Sequence, residues 1–313
     1  MLTERLLKTL FSLSLAFLLT AVSYVCTVQA QDADSLVLNV TVTNQKGELS
    51  RGLTMENFSI TADKQAQKIL SLSDDDMPAS IGILIDDSAS QDGGDPKANQ
   101  DFRDQLRQAL EQFLKLSHAS NEYFVVTFNS KVHLVQDWTS DAGAVVEKLD
   151  SLKFKHLTTM YDALKFGAEK VKTGHNAKHV LILVSDGIDN NSKASFKDVR
   201  DLLKASDVLL YCVGINNVLV GDPGVPIPYV DGLSVLSEFS ANSGGRSLFM
   251  TNASGPKAFM EVFELIALEL RTQYQLVIAP DHAGGKTKWR KIKLDAKRSP
   301  ERLMARTRLW FYR

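Results

Sequence analysis

Cysteine is almost missing from this chain. Cys26 and Cys212 are the only two in 313 residues. Cys26 falls in a leader-like N-terminal segment, so its removal leaves Cys212 alone and excludes an intramolecular disulfide. Cys212 lies in the apolar run 208–213 and reads as a buried small hydrophobe. Histidine is also sparse. His118, His133, His156, His175, His179 and His282 show no H-E-x-x-H spacing. His156, two residues before Thr158, reads as an exposed loop residue. The chain has no G-x-S-x-G elbow, no phosphate-cradling P-loop and no dinucleotide fingerprint. A charge excess is absent too. The formal net charge is −1, which gives no general case for nucleic acid or a membrane surface. There is no internal repeat and no low-complexity segment.

What remains is ordinary globular composition, 44% hydrophobic and 23% charged. That is enough apolar surface for one large domain and a smaller one. The first thirty residues stand apart. Arg5 and Lys8 precede the apolar stretch Leu10 to Val28, and Val28-Gln29-Ala30 resembles a signal-peptidase site. Residues 1–30 are therefore expected to be a cleavable signal peptide, with Gln31 as the mature start. An uncleaved anchor is the alternative, because the apolar stretch is almost long enough to span a bilayer. Ser23-Tyr24-Val25 before Cys26 is not a lipoprotein box. Export without disulfides points to a bacterial envelope protein that is periplasmic, secreted or cell-surface.

Residues 31–76 alternate as strands do. Leu36 to Thr43 is rich in β-branched residues, and Asn57–Thr61 and Lys68–Leu72 read as further short strands. Asp74 to Pro78 reads as a linker. From Ala79 the rhythm becomes βα. Strands are expected at Ile81–Ile85, Tyr123–Phe128, Val132–Gln136, Val180–Val184, Val208–Val213 and Ser247–Met250. Helices are expected at Asp101–Leu116, Ala142–Ser151, Met160–Lys172, Phe196–Ala205, Leu233–Ser243 and Pro256–Arg271. This order predicts an α/β domain over 77–272 with a doubly wound, mostly parallel sheet and one hairpin-joined edge strand. Asn216 to Gly232, with three prolines and three glycines, reads as a long loop. Strands return at Tyr274–Ala279 and Trp289–Leu294, with a last one expected within Arg306–Tyr312. Both ends are β-rich, so residues 273–313 are expected to pair with 31–76 in one small β domain that carries the α/β domain as an insertion.

Ser80 to Ser90, SIGILIDDSAS, holds the chemistry. An apolar run ends abruptly at Asp86, and Ser88 and Ser90 follow at alternate positions. The run reads as a strand buried on both faces, so the polar cluster falls at its carboxyl end, where open α/β sheets bind ligands. One carboxylate and two hydroxyls on a tight loop are hard oxygen donors. Strand Val180–Val184 ends in Ser185-Asp186-Gly187, which gives Asp186 the same place relative to its strand as Asp86 has. Thr158 and Thr159 precede the helix at Met160; either reads first as a helix cap.

These three loops, in this order, resemble the von Willebrand factor A domain and its metal-ion-dependent adhesion site. The family pattern is Asp-x-Ser-x-Ser, then Thr, then Asp; the matching residues are Asp86, Ser88, Ser90, Thr158 and Asp186. Thr158 is preferred to Thr159 because of its spacing to Met160 and Tyr161-Asp162-Ala163. Asp87, Asp189 and Asn190 are candidates to orient those donors. The pattern departs from the family at Ala89, where glycine is usual, and at Leu157, where a small residue is usual. The flanks resemble exported von Willebrand A-related proteins of bacteria, through Gly52-Leu53-Thr54-Met55-Glu56-Asn57-Phe58 before the domain and Glu269-Leu270-Arg271-Thr272-Gln273-Tyr274 after it.

The resemblance implies a non-enzymatic, metal-dependent protein-binding or adhesion module. A divalent cation, Mg²⁺ first and Mn²⁺ or Ca²⁺ as alternatives, would capture an Asp or Glu carboxylate of a protein ligand. A metal-independent scaffold of the cell envelope is the second reading, and a metal-assisted hydrolase the third. Residues 286–313 hold eleven Lys or Arg against Asp295 and Glu301. Lys288, Arg290, Lys291 and Lys293 largely alternate with Trp289, Ile292 and Leu294. A solvated sheet face explains this pattern; weak contact with an anionic surface or acidic partner is the functional alternative.

Overall fold

The computed structural model describes residues 35–88, 96–153, 157–216, 229–251, 255–280 and 288–312. The expected signal peptide, Ser90, Ala89 and His156 lie outside them. The strands are β1 (Leu36–Asn44), β2 (Phe58–Ala62), β3 (Gln65–Ala66), β4 (Lys68–Ser73), β5 (Ala79–Asp86), β6 (Glu122–Phe128), β7 (Val132–Thr139), β8 (Lys178–Ser185), β9 (Leu209–Asn216), β10 (Arg246–Thr251), β11 (Tyr274–Ala279), β12 (Trp289–Arg298), β13 (Glu301–Arg306) and β14 (Trp310–Tyr312). The helices are α1 (Pro96–Leu116), α2 (Ala142–Glu147), α3 (Met160–Lys170), α4 (Phe196–Ala205), α5 (Tyr229–Ser243) and α6 (Gly255–Leu270). Among the described residues no helix is long and apolar enough to cross a membrane.

Six strands form the α/β sheet in the order β10-β9-β8-β5-β6-β7. All neighbours are parallel except β7, the expected hairpin-joined edge. The chain leaves β5 for β6 on one side and later returns to place β8 on the other. This reversal opens a crevice at the carboxyl end of β5. Alternation along β5 feeds two cores. Ile81, Ile83 and Ile85 pack with α1 and α6, whereas Leu84 packs with α3 and α5. A strand with both faces buried must be apolar throughout, which is why the run is unbroken. Helix α1 shows the matching helical stripe, burying Phe102, Leu106, Ala109, Leu110 and Phe113. Cys212 is fully buried among apolar side chains, and burial pushes its thiol up to about 12.

The two ends of the chain build a separate antiparallel sheet, in the order β3-β2-β12-β13-β1-β11-β4, with β14 added to β12. Strand β1 is the hinge of this sheet: residues 36–40 pair with β11 and residues 41–44 with β13. Its own core gathers Leu38, Val40, Phe58, Ile60, Tyr274 and Ile292. The two flanking motifs meet here. Tyr274 donates its hydroxyl to Ser50 O at 2.9 Å and accepts from Leu53 N at 3.2 Å, and its ring lies edge-on to Phe58.

Two expectations are corrected. The last strand expected over Arg306–Tyr312 is confined to β14 at Trp310–Tyr312, and an unexpected strand, β13 at Glu301–Arg306, precedes it: β13 leaves β12 after a hairpin to pair with β1, and β14 then returns to β12. Weak alternation in this charged stretch hid β13. The loop expected over Asn216–Gly232 ends early, since α5 starts at Tyr229. Gly232 is a poor helix former, but a Cβ there would sit 2.5 Å from Asp186 O. Close packing on the Asp186 turn therefore outweighs helix propensity.

The chain enters and leaves the α/β layer at the amino ends of its strands. Ala79 opens β5, and the end of α6 is held there by Lys178 Nζ donating to Leu270 O at 2.8 Å and by Arg271 Nη1 donating to Leu116 O at 3.1 Å. The buried Glu269 joins the two sheets. It pairs with Arg246 of β10 at 2.8 Å and with Arg306 of β13.

Candidate metal centre

Asp86 and Asp186 stand at the carboxyl ends of the adjacent central strands β5 and β8. The register pairs Ile85 with Val184, so both apolar runs stop at the same level of the sheet. Both aspartates are buried, as are Ser88 and Thr158. Asp86 Oδ1 accepts from Ser88 N at 3.0 Å, which closes the first loop over its own carboxylate, and Asp86 Oδ2 accepts from the Ser185 hydroxyl at 2.6 Å. Asp186 Oδ1 accepts from Ile188 N at 2.9 Å.

Gly187 makes the sharp turn after Asp186. Its φ is +84°, and a Cβ would fall 2.2 Å from Gly232 O. Only glycine meets both conditions at low cost.

The second and third loops are sewn together. Thr158 N donates to Asn190 Oδ1 at 2.9 Å, and Thr158 O accepts from Asn190 N at 3.2 Å and Asn191 N at 3.0 Å. Asp189 Oδ2 accepts from Tyr161 N at 3.0 Å and from the Ser192 hydroxyl at 2.6 Å. Asp162 reaches back to accept from Lys193 N and Ala194 N. Asn190 and Asp189 thus fix the turn that presents Thr158. Asp87 accepts from Lys153 N and from Asn129 Nδ2, which ties the first loop to the end of β6 and to the chain after α2. Thr159 holds the cap position of α3, but its side chain makes no capping bond, and its buried hydroxyl has no hydrogen-bond partner among the described residues.

Electrostatics at this rim favours a cation. Burial, and next the negative charge of Asp186, push the Asp86 carboxyl up to about 7; hydrogen bonds from Ser185 and Ser88 act in the opposite direction. Asp86 takes part in no ion pair among the described residues. Two buried carboxylates at close quarters with neutral hydroxyls suit a hard divalent ion, which relieves their repulsion and accepts oxygen donors. The described residues contain no group of three or more His, Cys, Asp or Glu side chains arranged for a metal. Of the expected set, Asp86, Ser88, Thr158 and Asp186 lie on these three loops, and Ser90 lies outside the described residues.

Residues 81–188, which include all three loops, match the family model of the von Willebrand factor type A domain. This segment is a von Willebrand factor type A domain. Solved structures similar to the chain include the von Willebrand domain of the type V pili tip protein Mfa5 from Porphyromonas gingivalis, at 13% identity over 62% of this chain and 96% of that one, with a TM-score of 0.49. A von Willebrand factor type A protein from Catenulispora acidiphila is 13% identical over 89% of this chain and 75% of that one, with a TM-score of 0.48. Proximal thread matrix protein 1 from the mussel byssus, whose MIDAS motif there is occupied by zinc, is 17% identical over 66% of this chain and 48% of that one, with a TM-score of 0.47. No curated protein sequence matches the chain.

Ser185 is the residue of this von Willebrand A domain that sequence reasoning passed over. The signal was present: aligning the two apolar runs as neighbouring parallel strands brings Ser185 beside Asp86. Leu157, the departure before Thr158, is 44% exposed. Its side chain stands at the rim and does not crowd the buried donors.

Proposed function

We propose that this chain is a metal-dependent protein-binding module that works outside the cytoplasm and is not an enzyme. The observation that carries the reading is the burial of Asp86 and Asp186 side by side at the ends of β5 and β8, with Ser88 and Thr158 on the adjoining loops. Asp86 and Asp186 would balance a divalent cation, Mg²⁺ first and Mn²⁺ or Ca²⁺ as alternatives, while Ser88, Ser90 and Thr158 would supply neutral oxygens. When bound, the ion supplies an electrophilic point that attracts an Asp or Glu carboxylate of the protein ligand.

The chain's own residues do the positioning. Ser185 orients Asp86, Asn190 and Asp189 hold the Thr158 turn, and Leu157 offers the ligand an apolar contact at the rim. Residues 1–30 act as the signal peptide, and 31–76 with 273–313 form the β domain that carries 77–272.

Isothermal titration with Mg²⁺, Mn²⁺ and Ca²⁺, paired with ligand capture with and without EDTA, tests the reading. Binding heat in the wild type that is lost in Asp186→Ala supports it. Absence of heat and of any thermal shift with all three ions would leave a metal-independent scaffold.

A further inference from the structure

The basic C-terminal segment lines one wall of a cleft remote from the carboxylate rim. The cleft measures about 1170 Å³ and lies between the outer face of β2 and β12, the residues joining β13 to β14, and the α5–β10 side of the inserted domain. Its walls are cationic. Lys64, Lys291, Lys293, Arg246, Arg306 and Arg308 line it, against the single acid Asp63.

Two of these cations, Lys64 and Lys291, have no carboxylate partner among the described residues, whereas Arg308 feels the charge of Asp207. Lys64 sits at the tip of the β2–β3 turn, and Lys291 lies over the Trp310 ring at 5.8 Å. Arg308 donates only to the carbonyls of Trp310 and Lys204, both at 2.7 Å. Arg246 and Arg306 share one acid, Glu269.

Two further features narrow the occupant. Phe249 is 46% exposed on the inserted-domain wall, so part of the ligand must be apolar. Strands β12 and β13 also separate inside the cleft. They pair only at Lys297 with Arg302 and Arg298 with Glu301, and beyond that Leu294 and Ala305 face the cleft from opposite sides. Along β12, Lys291 O accepts from Asp63 N on the β2 side while Ile292 N donates to Leu309 O on the other. The next even-numbered residue, Leu294, therefore directs its main-chain groups toward the gap. A strand edge beside unneutralised cations fits an extended chain. A planar lipid surface cannot follow a recess between two walls.

We propose that this cleft binds an acidic, extended peptide segment of a partner protein, independently of the metal centre. Carboxylates would meet Lys64 and Lys291, and alternate apolar residues would meet Phe249.

The test is fluorescence anisotropy of the full chain in EDTA with a fluorescein-labelled peptide of Val-Glu repeats, and with its Val-Gln counterpart. The expected result is binding of the Val-Glu peptide that weakens with salt and falls about tenfold or more in the Lys64→Glu/Lys291→Glu double variant. Both lysines are exposed, so this variant should keep its fold. Asp186→Ala should bind as the wild type does, which separates this site from the metal reading. No binding, equal binding of the Val-Gln peptide, or indifference to the double variant would overturn the proposal. Phosphatidylserine vesicles serve as a second probe. Co-sedimentation that depends on the same two lysines, with no peptide binding, would assign the cleft to lipid and equally overturn it.

Discussion

The Ser185 hydroxyl donates to Asp86 Oδ2 across 2.6 Å and so joins the tips of β5 and β8. It also accepts from Gly187 N at 3.1 Å, which couples the Asp86 carboxylate to the turn after Asp186. Groups that orient a ligand in this way typically contribute about 10–100-fold in metal affinity. Ser185→Ala should weaken Mn²⁺ binding by about that factor in isothermal titration while leaving the fold intact. Unchanged affinity would mean that Asp86 is oriented by other contacts.

Thr158 and Thr159 should behave in opposite ways. Thr158→Val removes a proposed donor and should reduce metal affinity. Thr159→Val removes a buried hydroxyl without a partner, so it should preserve affinity and leave stability unchanged or raise it by up to about 1 kcal/mol. Titration of both variants alongside urea unfolding makes the comparison.

With metal chelated, the carboxylates at the rim oppose one another. Asp86→Asn should raise the melting temperature in EDTA, by about 2–4 °C for each kcal/mol of relieved repulsion. The same substitution should abolish any rise in melting temperature on adding Mg²⁺. Calorimetry in the two buffers reads both effects.

Lys178 gives the inserted domain an alkaline signature. Burial drives its ammonium down to about 8, only partly opposed by Asp76. The unfolded chain keeps that proton up to about 10.4. Between these values the unfolded state binds more protons than the folded state, so the contribution of Lys178 to stability rises with pH across this window. Below about 8 its full burial penalty is present. Lys178→Met should flatten the slope of unfolding free energy between pH 8 and pH 10, measured by urea titration.

Glu269 is buried between Arg246 and Arg306. Arg246 and Arg306 are themselves partly exposed, so removing the acid loses charge-assisted hydrogen bonds and costs about 1.5–3 kcal/mol. Glu269→Ala should show that loss in denaturant unfolding, and Glu269→Gln a smaller one. A loss under 1 kcal/mol would mean that solvent fully replaces both ion pairs.

Much of this was legible in the sequence for a simple reason. Where an apolar run is buried on both faces, its end is sharp, so Asp86 and Asp186 announce their positions by terminating Ile81–Ile85 and Val180–Val184. Helix α4 announces itself through Ser195 and Asp198, which cap each other's backbone at 2.8 and 3.2 Å. Ser185 was not legible as a partner because a serine before an aspartate is ordinary turn chemistry until strand register is known. Strand β13 was hidden because Glu301 to Arg306 mixes charged with small and apolar residues and lacks the alternation that marks a half-buried strand. The position of Glu269 was legible as part of a motif, but its role was not, since both arginines that hold it come from distant strands.

The proposed cation rim and the two covalent tethers of the inserted domain lie at opposite poles of β5, with Asp86 at one end and Ala79 at the other. A ligand that tugs on Asp86 loads this strand lengthwise. The parallel ladders with β6 and β8 then resist as rows of bonds in shear, sharing the load at once instead of unzipping one by one. The exit at Leu270 is pinned to the first residue of β8, so the second tether takes up strain beside the first.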